Sequence, residues 1–526
     1  MSAWLCLPAA PSLVFASPPR LRARRAVGIA MVLLGLAPHM GWAADPPSPP
    51  TDLKQTLRHW YAEATRMAPG DWGIAVATDN GSLLWSIRPD QPLIPASAVK
   101  LFTTGFARTV LGADARRSTR VVGSGYADPA TGEWIGSWAL QVNGDPSLER
   151  ANGSGPKLVY LARQLAARGV RRLTGPFTVE SATGPAEAWF PAEWSDRHRG
   201  RLFAPLVGPL TVHENVVRFT IRPGGKVGRL ARLATVSPEG IERLIVVKAT
   251  TSSGRRSRLR VRPAPGGGWV VTGRIGVRSR GRYLSVPSAE PRLVLEAVWE
   301  AALEHAGIVW DRSPARPPSG QEMGPGLILA EVLSPTLDSI ASDVNRRSHN
   351  LGAELMLQWA AGVDNGPELL TQHVQFITGQ LDGVHLVDGS GLSSSARVSP
   401  RIFVSYLARL PQTKHGRNFP LLLPANGTGT LKRLRGDLPA EGVLRAKTGT
   451  LRNVSTVVGY LGHPEGMLLI SLMYNGSRPS SARRAQLQLV RELGVDGIVV
   501  PSEWEEESPR FGGRGDGWSE RIRHIQ

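Results

Sequence analysis

Cysteine is all but missing: the single one, Cys6, falls within the first 43 of 526 residues. That opening stretch reads as an export signal. Arg20, Arg22, Arg24 and Arg25 form a basic region, AVGIAMVLLGLA (26–37) an apolar run too short to span a bilayer, and Gly41-Trp42-Ala43 a small-x-small cleavage pattern. Cleavage is expected near Ala43; an uncleaved anchor is the alternative. The context of Cys6 is not a lipoprotein site, so the mature chain has no thiol, which excludes disulfides, cysteine nucleophiles and cysteine-held metals. No later run approaches 18 apolar residues, and no transmembrane segment is expected in the mature chain. The 11 histidines show no HExxH-like spacing, no GxSxG elbow occurs, and GGGW (266–269) reads as a turn and not a phosphate loop. No metal or organic cofactor is implied. The expected location is the bacterial periplasm.

Negative charge is scarce in one region. Between Arg218 and Arg282, 14 arginines and 2 lysines face only Glu239 and Glu242, a net of +14 in a chain of net +19. Such a region suggests anionic envelope polymers as partners; a solvated arginine-rich surface is the alternative, and nucleic acid is not expected of an exported protein. Lysine is scarce as well, 8 against 54 arginines. Arginine stays charged at any ordinary pH, whereas a lysine can be neutralised by its surroundings.

The length predicts two or three domains. LKQTLRHWYAEA reads as an amphipathic helix, DWGIAVATDNGSLLWSI as two strands around Asp79-Asn80-Gly81, and PASAVKLFTTGFARTVLG as a helix beginning near Ser97. From about Arg120 to Val286 short alternating segments between Gly, Pro and Ser turns predict a β-rich, basic insertion. Helices return in LVLEAVWEAALEHAGI and PTLDSIASDVNRRSHNLGAELMLQWAAGV, then adjacent strands in VLRAKTGTLRNVSTVVGYLG and GMLLISLMYNG, and a closing helix in ARRAQLQLVRELG. The expected division is a signal at 1–43, one α/β domain made of 46–119 and 287–504, an inserted domain or domains at 120–286, and a loose tail at 505–526.

Three short motifs carry chemistry. Ser97-Ala-Val-Lys100 stands at the predicted helix start, where residues three apart share a face and free backbone N–H groups are available to an oxyanion. A second SxxK, Ser154 to Lys157, lies in a Gly/Pro-rich loop and reads as accidental. Ser348-His349-Asn350 is the only S-x-N, placed within the helical run, and Lys447-Thr448-Gly449-Thr450 is the only KTG, at the start of a strand. Two of the 8 lysines thus fall in these motifs. In this chemistry Ser97 attacks a carbonyl, neutral Lys100 takes its proton, and Ser348 passes a proton to the leaving amine. Asn350 holds either the Lys100 amine or the substrate amide. Lys447 supplies positive charge for a carboxylate that the Thr448 and Thr450 hydroxyls bind, Gly449 lets substrate backbone lie close, and the N–H groups of Ser97 and Thr450 make the oxyanion hole.

The order SxxK, SxN, KTG is that of the penicillin-recognising serine enzymes. PASAVKLFTT, NRRSHNLGAELML, DGSGLSSSARVSP and AKTGTLRNVSTVVGYL together resemble the class C low-molecular-mass penicillin-binding proteins, the D-alanyl-D-alanine carboxypeptidase/endopeptidases. VNGDPSL and FAPLVGPLTVHEN resemble that family's inserted region, and the likeness runs from about Asp52 to Val500. The 251 residues from Ser97 to Ser348 exceed what a β-lactamase needs and fit an enzyme with inserted domains. The resemblance implies a DD-peptidase/β-lactamase-like transpeptidase domain, an antiparallel sheet covered by helices, carrying β-rich inserted domains. It implies cleavage of peptidoglycan stem peptides and crosslinks, with β-lactams as inhibitors. Two departures bear on substrate preference: Ser394 and Ala396 stand where the family usually has Arg and Asn, though Arg397 could partly compensate. His349 replaces the usual Asp of SxN and reads as a surface variant. The rival readings are a wall-binding protein with an impaired site and a β-lactamase, although no class A glutamate motif is visible.

Overall fold

The computed structural model describes residues 53–494, apart from 152–153, 318–325 and 465. The signal expected at 1–43 and the tail expected at 505–526 lie outside the described residues. The chain opens with α1 (Leu53–Met67), β1 (Asp71–Thr78), β2 (Leu83–Ile87) and α2 (Val99–Leu111). It returns much later with α3 (Leu337–Arg347), α4 (Asn350–Ala361), α5 (Gly366–Thr378), α6 (Pro400–Arg409), β3 (Leu444–Leu451), β4 (Val454–His463), β5 (Gly466–Asn475) and α7 (Pro479–Leu493). The five strands form one antiparallel sheet in the order β3-β4-β5-β1-β2. The two ends of the chain meet where β1 pairs with β5, Asp71 opposite Asn475 through Thr78 opposite Leu468.

Helices cover both faces, which is why β1, β4 and β5 are mainly apolar along their length. In β1, Trp72, Ile74 and Val76 turn to one side and Ala75 and Ala77 to the other. The first side packs on α1 and α7, pinned by the Trp60 indole N–H donating to the Ala485 carbonyl at 2.8 Å. On the other side α2 is wrapped by α3, α4, α5 and α6, and 11 of its 13 residues are buried. Phe102 stacks on Phe403 (centroids 4.8 Å apart, planes 9° apart) and meets Tyr406 edge-on at 4.8 Å. A lysine on such a helix is necessarily buried, and Lys100 is.

The helical run expected to contain Ser348 is broken there. Ser348 takes up a left-handed conformation (φ 56°, ψ 45°), ending α3, and α4 starts afresh at Asn350. A non-glycine residue in that region costs on the order of 1–3 kcal/mol, so surrounding contacts must hold it. The break turns the Ser348 hydroxyl out of the helix surface and toward β3.

Between α2 and α3 stands a second module with its own core of Trp138, Leu161, Phe219, Val271 and Trp299. It contains a six-stranded, a four-stranded and a three-stranded sheet, with helices Leu158–Ala167 and Pro291–His305. The chain leaves along strand Ser118–Ala127 and comes back along Leu327–Leu333, which are antiparallel neighbours with Ser118 opposite Leu333. Arg117 N–H donates to Ser334 Oγ (2.9 Å) and Ser334 N–H to the Arg117 carbonyl (2.8 Å), so exit and return are stitched side by side. Helix Pro291–His305 and strand Leu327–Leu333, expected beyond a boundary at 286, pack in this second core. Their apolar faces alone do not say which core they join. No helix among the described residues is long and apolar enough to cross a membrane.

Replacing Phe102 by Ala should cost about 3–5 kcal/mol of unfolding free energy, measured by denaturant titration, because it empties the contact between α2 and α6. A cost below about 1 kcal/mol would mean that α2 is not held as described.

Candidate active site

Ser97 sits in a 3-10 turn, Ala96–Ala98, that runs into α2. Lys100 lies one turn later, with its Nζ 3.2 Å from Ser97 Oγ, 2.7 Å from Asn350 Oδ1 and 2.5 Å from the Ser390 carbonyl. Two of these partners are pure acceptors. A neutral amine has two hydrogens and one lone pair, so Asn350 and Ser390 take the hydrogens and the lone pair faces Ser97. Burial lowers the Lys100 pKa from 10.5 to about 8, with Asp388 and Glu354 pulling it back up. The amine is therefore neutral often enough, near neutral pH, to accept the serine proton.

Asn350 has only one orientation open to it. Its Oδ1 accepts from Lys100, while its Nδ2 donates to the Phe203 carbonyl of the inserted module at 2.8 Å. Of the two expected roles, the geometry favours holding the lysine amine. Ser348 Oγ accepts from Lys447 Nζ at 2.9 Å, and Lys447 also donates to the Thr448 carbonyl at 2.7 Å. Lys447 is fully buried, and burial, then Lys100 and Arg483, hold its pKa well below the ordinary value.

Gly449 does something other than the sequence suggests. A Cβ there would come 2.7 Å from the Pro95 carbonyl oxygen and 3.1 Å from the Ser97 backbone nitrogen. The missing side chain lets β3 lie against the nucleophile turn, and the space is not left for substrate backbone. Thr448 is half-buried and Thr450 exposed on the same strand. Arg483, on α7, donates to the Gly449 carbonyl (2.5 Å) and Thr450 Oγ1 (3.2 Å), while its Nη1 is buried without a hydrogen-bond partner among the described residues. No local signal marks this residue, which stands 33 positions beyond Thr450 and meets it only because α7 crosses the sheet.

A buried loop aims the Ser390 carbonyl. In the peptide joining Ser390 to Gly391, the C=O accepts from Lys100 and the N–H donates to Asp388 Oδ1 at 2.8 Å. One rigid peptide unit therefore connects the carboxylate and the amine on its opposite ends. Asp388 Oδ2 also accepts from Ser393 N–H (2.9 Å) and the Trp194 indole (3.2 Å), and Gly389 N–H donates to Glu354 (3.0 Å). Burial raises both carboxyls. Gly391 has φ +68° and faces the Ala96 carbonyl at a distance no Cβ tolerates, so it is fixed by both conformation and contact. DGSGL carries part of the resemblance, but no local signal marks Asp388, Glu354 or the Ser390 carbonyl.

Two further expectations change. Arg397 does not stand in for the missing arginine: its guanidinium is spent on the carbonyls of Ser394 and Ala396, at 2.8 and 2.9 Å. His349 is half-buried, and not a surface variant; burial lowers its pKa to about 4, with Glu214 of the inserted module opposing. The other SxxK pair, Ser154 and Lys157, precedes helix Leu158–Ala167 in the inserted module, where Arg150 donates to Ser154 Oγ at 3.3 Å.

Comparison with known proteins agrees with this arrangement. The D-Ala-D-Ala carboxypeptidase 3 (S13) family matches residues 53–493. The D-alanyl-D-alanine carboxypeptidase of Actinomadura sp. (strain R39) is 27% identical over 476 residues, 85% of each chain. Carboxypeptidase DacB of Mycolicibacterium smegmatis is 27% identical over 473 residues, 83% of this chain and 85% of that one. Among solved structures, penicillin binding protein 4 (dacB) of Haemophilus influenzae superposes with a TM-score of 0.66 at 19% identity, covering 81% of this chain and 98% of its own, which establishes the shared fold.

Two outcomes follow from the geometry. If neutral Lys100 is the base, the acylation rate should rise with pH, gaining about tenfold per unit, and level off above about pH 8. Lys100→Arg should be inert at every pH, and a flat profile for the unaltered chain would exclude this role. Gly449→Ala should slow acylation by about a hundredfold by displacing the Ser97 turn; a rate within about threefold of the parent would show that the turn yields.

Proposed function

The chain belongs to the D-Ala-D-Ala carboxypeptidase 3 (S13) family and is a serine DD-peptidase, and from that premise we propose how its own residues run the reaction. Ser97 Oγ gives its proton to the Lys100 lone pair and attacks the carbonyl carbon of the penultimate D-alanine. The backbone N–H groups of Ser97 and Thr450 receive the oxyanion, and the close seat of β3 on the nucleophile turn supports that assignment. As the C–N bond breaks, the leaving amine takes a proton through Ser348 Oγ, which Lys447 adjoins. Water then releases the acyl group from Ser97. The terminal carboxylate is bound by the hydroxyls of Thr448 and Thr450; Arg483 supplies charge, and the arriving carboxylate favours the charged form of Lys447 against its burial. The unpartnered Arg483 Nη1 adds to the sequence expectation, and a carboxylate would satisfy it.

The observation that carries this reading is the Lys100 amine, desolvated, fixed by two carbonyl acceptors and facing one serine. The substrates are peptidoglycan stem peptides and crosslinks, and β-lactams are the inhibitors. The sequence at 20–43 supports export to the periplasm. We also assign 118–333 to the inserted module and 53–117 with 334–494 to the catalytic one, on the strand pairing and separate cores. The exposed arginines between 218 and 282 suit anionic wall polymers.

Brief incubation with penicillin should add one penicillin mass to the intact protein and none to Ser97→Ala, and the unaltered chain should release D-alanine from a pentapeptide. Rapid penicillin turnover without an adduct would point to a β-lactamase. Neither adduct nor turnover would leave a wall-binding protein with an impaired site.

A further inference from the structure

The inserted module carries a face on which arginines confront one another. In its four-stranded sheet Arg258 lies directly opposite Arg274, and in its three-stranded sheet Arg222 lies directly opposite Arg232. All four are exposed, and among the described residues none has an ion-pair partner. Leu230, just before strand Arg232–Ser237 of the three-stranded sheet, bridges to Thr250 of the four-stranded sheet, and Thr250 is in turn paired with Arg274. Arg260 and Arg262 extend the row along strand Ser257–Pro263, also exposed. The inward faces of the same strands, Val271 and Ile275 among them, are packed in the module's core.

Like charges directly opposite in a sheet have Cβ atoms about 5 Å apart and destabilise the pairing. Arginine on an edge strand has an ordinary use, since charge keeps unpaired edges from joining other sheets, and Ser257–Pro263 is such an edge. That use does not extend to Arg274, whose strand is paired on both sides, nor does it ask for a second facing pair at Arg222 and Arg232. An unrelieved repulsion built into two neighbouring sheets calls for a counter-charge from outside. A carboxylate matches one guanidinium fork, whereas a phosphate group offers oxygens to two, which fits a facing pair.

We propose that this face is a docking surface for a phosphate-bearing linear polymer of the cell envelope, gripped by the facing pairs Arg258–Arg274 and Arg222–Arg232. The envelope source rests on the function proposed above; the phosphate chemistry does not. Docking would hold the enzyme on the wall while leaving the Ser97 site, in the other module, open to stem peptides.

The test uses fluorescent poly(glycerol phosphate) with the mature chain, across a salt series, beside Arg258→Gln/Arg274→Gln. Binding to the unaltered chain should weaken steeply with salt, and the double variant should lower the log–log slope by about 2. Penicillin acylation serves as the control for folding and should be unchanged, with a thermal midpoint equal to or above the parent because a repulsion has been removed. No binding by the unaltered chain, an equal slope in the variant, or equally tight binding of polygalacturonate would overturn the proposal. Tighter binding of duplex DNA at physiological salt would reassign the face to nucleic acid. Polymer binding in a chain that penicillin cannot acylate would sink the proposed reaction and leave this surface standing.

Discussion

Everything in the catalytic module serves a single difficulty: a lysine amine has been carried into the interior of a protein and must stay useful there. An isolated ammonium in such a place costs several kcal/mol, and the group responds by shedding its proton. Two carbonyl oxygens, from Asn350 and Ser390, fix where the remaining hydrogens go. Full burial keeps water away from the amine, while the carboxyls of Asp388 and Glu354 stop its pKa from falling too far. Position and basicity are thus set by different residues, one group tuning the other's result.

The inserted module is part of that arrangement and not a passenger on it. Phe203 fixes the Asn350 amide, and Trp194 closes the fourth side of Asp388. Glu214, Arg150, Arg347 and Asp343 form a largely buried ionic cluster next to the left-handed Ser348, with Arg347 bonded to both carboxylates. Removing one member of such a cluster leaves an uncompensated charge, so the cluster is well suited to hold a strained backbone in place.

How much of this was legible beforehand follows from range. Ser97 and Lys100 are one helical turn apart, and Ser348 and Asn350 flank one residue, so both pairs are visible as short strings; Lys447 is visible through its glycine. The sheet strands were legible too, because DWGIAVAT and GMLLISLMYN have the composition of strands buried on both faces. Arg483, Asp388 and the Ser390 carbonyl were not, since their roles exist only once distant segments touch. The helix break at Ser348 was hidden because apolar spacing continues across it. The return boundary was hidden because helix Pro291–His305 is amphipathic wherever it packs.

The sheet that supports the site is completed by the last strands to be made. β1 and β2 come from the first part of the chain and β3, β4 and β5 from the last, with 350 residues between Ser97 and Lys447. Contacts so distant in sequence are slow to form, and they cannot form until nearly the whole chain has been synthesised. A growing polypeptide therefore carries Ser97 and Lys100 through most of its synthesis without the Asn350 and Ser390 oxygens that fix the amine. The order of assembly acts as a delay line: hydrolytic power appears only when chain synthesis is nearly finished.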